Sequence, residues 1–112
     1  GILTGKVDLT RTFPKGDGRA EEPLYHPENR ATVLEALAEV EALADDAGCS
    51  LANLAVAWVL HQPGVTAALV GARTAAQAEE NAAAMAVDLS PEVLKRVRAV
   101  FEGVRINKRP GT

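Results

Sequence analysis

Cysteine occurs once, as Cys49, so no internal disulfide framework can form. That usage fits a reducing, cytoplasmic setting. No apolar run approaches the roughly 20 residues of a membrane span, and no signal-peptide pattern stands at the start. A large excess of either charge sign is lacking as well. A net charge of −3 over 112 residues leaves no basic field suited to nucleic acid. The basic cluster Arg105, Lys108 and Arg109 reads as a solvated terminus. Aromatic side chains amount to 4% of the chain: Phe13, Tyr25, Trp58 and Phe101. The first residue is Gly1 and not methionine, so a processed, truncated or partial chain is expected.

What is present is alanine and other apolar residues, 47% in all. The length suits one domain, and the alanine content favours helix. Residues 1–27, with "PKGDG" near their middle, crowd turn signals and read as irregular. A loop that long is expected to be functional or flexible. A helix is predicted from about Glu28 to Ala47, because Val33, Leu37, Val40, Ala44 and Ala47 form one stripe. Gly48 stops it.

Ser50 caps a second helix, about Leu51 to His61. Its "LAVAWVL" centre is apolar all round and predicts burial on most sides. Pro63 and Gly64 end it, and residues 65–70 read as a short, doubly covered parallel strand. Thr74 and Gln77 make a capping box for a third helix, reaching about Met85. Ser90 and Pro91 open a fourth, over 91–102, with Val93, Leu94, Val97 and Phe101 as its buried stripe.

One strand cannot make a sheet. A buried strand without neighbours leaves polar groups unpaired at about 1–3 kcal/mol each. The expectation is that its neighbours lie outside this chain.

The segment "LVGARTAAQAEEN" (69–81) places a glycine, an arginine and a capped helix start together. Free N–H groups and the helix dipole favour an anion there. Gly71 admits close approach to the backbone, and Arg73 adds a fork suited to phosphate. Gln77, Glu80 and Asn81 follow Thr74 at helical spacings, near one face. Their donors and acceptors suit a base edge or a ribose hydroxyl. The same pattern also reads as an ordinary capping box with a polar surface. "GILTGK" at the start is similar in kind but lacks the P-loop spacing.

Taken together, "GILTGK", "RTFPKGDGRA", "GCSLANLAVAWVLHQPGVTAALVGARTAAQAEENAAA" and "LSPEVLKRV" resemble the C-terminal part of an aldo-keto reductase of the bacterial and potassium-channel-β-like branch. The resemblance covers nearly the whole chain. It implies an α/β fold: the C-terminal fragment of a (β/α)8 TIM barrel, here mostly helical with one or two parallel strands. It implies an oxidoreductase that reduces aldehydes or ketones with NADPH, binding the cofactor at the C-terminal ends of the strands. Gly1, Ile2 and Lys6 match positions lining the nicotinamide–pyrophosphate side. Arg11 lies in the loop over the pyrophosphate. Gly71 and Arg73 match positions meeting the adenosine phosphate, and Gln77, Glu80 and Asn81 match the adenosine-binding helix. Gly71-Ala72 and Gln77 depart from branches with Lys-Ser and Arg there, which leaves NADH open beside NADPH.

The family's catalytic Asp, Tyr, Lys and His come from the first half of the barrel, and none matches here. The chain alone is therefore expected to be inactive and to need the missing barrel half or a second chain. The competing readings are a non-catalytic remnant that binds nucleotide or dimerises through its strand, and an inactive helical piece. Tyr25-His26 read as loop packing, His61 as a helix-end residue, Cys49 as a buried small residue and Trp58 as core. Asp45-Asp46 read as a solvated helix end without metal-ligating company.

Overall fold

Each helix starts where a residue in extended conformation ends a loop. In the computed structural model, which describes residues 1–110, α1 spans Pro27–Asp46, α2 Leu51–Leu60, α3 Ala75–Ala83 and α4 Pro91–Glu102. The Ser50, Thr74 and Ser90 hydroxyls accept from the N–H groups of Asn53, Gln77 and Val93, satisfying donors that a helix leaves free. Pro27 and Pro91 sit in first turns, where a missing N–H costs nothing. Gly48, at φ 70°, turns the chain after α1. The axes of α1 and α2 then diverge by 83°. No single described helix is long and apolar enough to cross a membrane.

Two apolar clusters hold the helices together. Val40 and Ala44 of α1 meet Leu54 and Ala57 of α2, Leu89, and Val97 of α4. Trp58 flanks this cluster, and its indole N–H donates to Leu94 O at 3.1 Å. Val33 and Leu37 meet Ile2 and Val7 in the second cluster, with Phe13, Tyr25, Val104 and Ile106 around it.

The N-terminal stretch is irregular but not loose. It contains 3-10 turns at Ile2–Thr4, Gly18–Ala20 and Pro23–Tyr25, and two buried polar residues of α1, Asn29 and Arg30, tie it down. Asn29 Nδ2 donates to Pro23 O and Asn107 O, both at 2.8 Å, and its Oδ1 accepts from Asn107 N–H at 2.8 Å. The C-terminal tail is therefore anchored as far as Asn107, with Val104 and Ile106 packed inward. The basic side chains Arg105, Lys108 and Arg109 are exposed, as expected, although the tail that carries them is tied down.

Two further expectations fail for one reason. Residues 65–70 form no strand: the described residues contain no sheet, and Leu69 is 101% exposed. A strand needs a neighbour, and no described segment lies alongside to supply one. Likewise α2 is not covered on most sides. Only Leu54 and Ala57 are buried, and Val59 is 41% exposed. A groove of about 410 Å³ lies open along Leu51, Ala55, Trp58 and Val59. The expected one or two parallel strands are thus absent from the described residues, while the mostly helical character holds. The radius of gyration is 14.7 Å, above the about 13 Å of a compact chain of this length.

Candidate functional site

The turn at Ile2–Thr4, the next residues to Arg11, one side of α2 and the start of α3 surround a cleft of about 370 Å³. It brings together two stretches some sixty residues apart in sequence. Gly1, Lys6 and Arg11 come from the first, Gly71, Gln77, Glu80 and Asn81 from the second. Ala52, Ala55 and Val56 of α2 form an apolar part of the wall. Two of the sequence-predicted residues stand apart. The Ile2 side chain is buried in the second apolar cluster, so only its backbone remains available. Arg73 is exposed beyond the lining, because its side chain precedes the cap and projects from the loop.

The loop into α3 is built by its own side chains. Gln77 N–H donates to Thr74 Oγ1 at 3.1 Å, while Gln77 Oε1 accepts from Arg73 N–H at 2.7 Å. Asn81 Nδ2 donates to Gly71 O at 3.0 Å. Each amide so used keeps one polar atom, Gln77 Nε2 or Asn81 Oδ1, without a bond inside the described chain. Gly71 needs to be glycine for no reason internal to the chain: its φ is not positive, and an added Cβ would meet nothing within 4 Å. At Gly1, by contrast, a Cβ would stand 2.8 Å from the Tyr25 hydroxyl.

The opposite rim is basic. Lys6 Nζ lies 3.9 Å from Glu80 Oε2 across the cleft, with Lys6 well exposed and Glu80 partly so, so the contact is weak. Arg11 Nη1 donates to Lys6 O at 3.4 Å. Arg19, which the sequence reading missed, also lines the cleft. Its guanidinium sits 4.6 Å from the Phe13 ring centroid and grips Asp17, with Nη2–Oδ2 at 2.6 Å. The Arg19 hydrogen bonds hold the Asp17 carboxyl down at about 2. Asp8 is also lowered, by the side-chain and backbone hydrogen bonds of Thr10 and then that of Arg11.

Arg30 and Asn29 escaped the sequence reading too. The signal was there: Asn29 stands four residues before Val33, on the apolar stripe of α1, and a polar residue on a buried face predicts partners. Other side chains singled out in the sequence find local partners. Tyr25 packs edge-on to Phe13 at 5.4 Å. His61 Nδ1 meets Ala57 O at 2.7 Å at the end of α2. Burial raises the Cys49 thiol pKa, which disfavours a nucleophilic thiolate. Among the described residues no cluster of three metal-ligating side chains occurs.

A profile described as "Aldo/keto reductase family" matches residues 1–102. The chain belongs to the aldo/keto reductase family, for which a (β/α)8 fold is implied. Among similar curated proteins, the "NADH-specific methylglyoxal reductase" of Escherichia coli (strain K12) is 32% identical over 104 residues, covering 93% of this chain and 31% of the relative. The "Aldo-keto reductase yakc [NADP(+)]" of Schizosaccharomyces pombe is 30% identical over 106 residues, covering 95% and 31%. A "Probable voltage-gated potassium channel subunit beta" of Arabidopsis thaliana is 35% identical over 107 residues, covering 91% and 32%. The chain thus spans about a third of the length of these relatives.

Proposed function

We propose that the cleft holds part of a nicotinamide dinucleotide, NADPH with NADH as the alternative, in an oxidoreductase that reduces aldehydes or ketones. One observation carries this reading: Gly1, Lys6 and Arg11 converge with Gly71, Gln77, Glu80 and Asn81 on a single cleft. The volume lies in the range of about 300–1,000 Å³ usual for small-molecule sites, enough for part of a dinucleotide. The donor set fits the group. Lys6 and Arg11 supply charge for phosphates. Gly71, unconstrained by its own chain, leaves room for a ligand against the backbone. Gln77 and Asn81 fix the loop and keep one polar atom each for an adenosine edge. Arg73 meets a 2′-phosphate from outside the cleft, and Ile2 contributes through its main chain. The bound cofactor supplies the hydride. The proton-donating groups belong to chain outside these residues, so this chain binds and orients without turnover.

Fluorescence titration of the purified chain with NADPH and with NADH tests the reading, alongside reduction of 4-nitrobenzaldehyde. Saturable binding without reduction is expected, with Arg73→Ala narrowing any preference for NADPH. Absence of binding by either cofactor would overturn the site.

A second reading rests on residues 65–70. Leu69 is fully exposed, and the backbone from 66 to 72 donates to no carbonyl among the described residues. This supports a strand completed by other chain, the rest of a barrel or a second copy. Size-exclusion chromatography resolves the second copy from a monomer.

A further inference from the structure

Arg30 is 3% exposed and forms no ion pair among the described residues. A buried guanidinium is costly unless its donors are met. Here carbonyls meet them, drawn from both ends of one loop. Nη1 donates to Asp8 O at 2.8 Å, Leu9 O at 3.4 Å and Arg11 O at 2.7 Å. Nε and Nη2 donate to Tyr25 O at 3.1 and 2.6 Å. A planar fork of this kind fixes the relative placement of the segments it joins, which an apolar side chain of similar size would not do.

The segment so fixed carries Arg11. Asp8 Oδ1 accepts from Thr10 N–H at 2.9 Å, the Thr10 hydroxyl at 2.8 Å and Arg11 N–H at 2.9 Å, making the turn rigid from its exposed side. Arg11 reaches from that turn to Lys6 O, and its guanidinium lies 5.7 Å from the Phe13 ring centroid. Arg30 lies 5.4 Å from the same centroid. The loop that carries the basic rim is thereby shaped from within the fold.

We propose that Arg30 is a positioning residue for anion binding: by clamping residues 8–11 to Tyr25 it holds Arg11 beside Lys6, ready-formed for the phosphate groups of the ligand. The proposal rests on the cleft reading above and narrows it to one end of the ligand. Arg30 itself touches no ligand, so its influence falls on phosphate affinity and spares the adenosine side.

The test is an NMR titration of the full chain with inorganic pyrophosphate and, separately, with adenosine 2′-monophosphate. Arg30→Met is expected to weaken pyrophosphate about tenfold, the worth of one hydrogen bond to a charged group, and to leave the nucleotide unchanged. Arg30→Lys, with one point charge in place of a fork, does not restore it. Asp8→Ala, which removes the Oδ1 acceptor that makes the turn, decides the matter if Arg30→Met fails to fold. By charge alone, removing this carboxylate strengthens an anion; through the turn it weakens one, and weakening is expected. Unchanged pyrophosphate affinity in Arg30→Met, or tighter pyrophosphate in Asp8→Ala, overturns the proposal. So does an equal loss of both ligands, the mark of a general structural role. If the unsubstituted chain binds neither ligand, the cleft reading itself falls; if it binds both and the variants are indifferent, only the positioning role does.

Discussion

Residues 1–26 and residues 65–73 are both irregular, yet they differ in where their backbone polar groups go. The first stretch hands its carbonyls to Arg30 and Asn29 and packs Ile2, Val7 and Phe13 against α1. The second is held by side chains only at its far end, where Asn81 takes the Gly71 carbonyl and Gln77 the Arg73 N–H, and Leu69 is fully exposed. Irregular backbone is therefore as firm as the partners it finds inside the chain. One stretch has its partners here. The other has side chains suited to a buried strand and no neighbour to bury them.

The comparison breaks most visibly at Arg30. Arg30→Met leaves carbonyls of the 8–11 turn and Tyr25 without donors and is expected to destabilise the chain by about 3 kcal/mol, measured by urea unfolding. A loss under 1 kcal/mol would mean that water replaces the clamp. Asn29→Ala removes three hydrogen bonds and is expected to cost about 2 kcal/mol, with faster amide exchange at Asn107.

A smaller effect concerns pH. The Asp17 carboxyl, held at about 2 against an ordinary 3.8, favours the fold above pH 3.8. That contribution fades as pH falls from 3.8 through 2. An Asp17→Asn variant is expected to lose this part of the acid dependence, and an unchanged acid transition would place the Arg19 contact among those without consequence.

At residue 69 the expected effect is close to nothing. Leu69→Asp changes the stability of the monomer by less than about 0.5 kcal/mol, and amides 66–72 exchange as in an open chain. Protection of those amides would show that a neighbour is present after all.

The helices were legible because their signals are local. Ser50, Thr74 and Ser90 cap where the sequence puts them, and Gly48 turns where α1 stops. The stripe Val33, Leu37, Val40 and Ala44 is buried as its spacing requires. The meeting of the two cleft stretches was reached only through resemblance, because closure over sixty residues leaves no periodic trace. Asn29 stood in register with the apolar stripe and could have been read; Arg30 could not, since a polar residue in a first turn ordinarily faces water. What makes Arg30 interior is the loop that folds back over it, a tertiary fact. The strand failed for the converse reason: residues 65–70 carry the composition for burial, but burial depends on a packing neighbour, and none of the described residues lies alongside them.

The Asn29 amide has a reach beyond its own helix. By holding Pro23 and Asn107 through one side chain, it makes the far carboxyl end a splint for the basic rim. Trimming the chain back to Gly103 would remove no cleft residue, yet it is expected to loosen the loop around Pro23, so that a deletion at one end registers as faster amide exchange near the other.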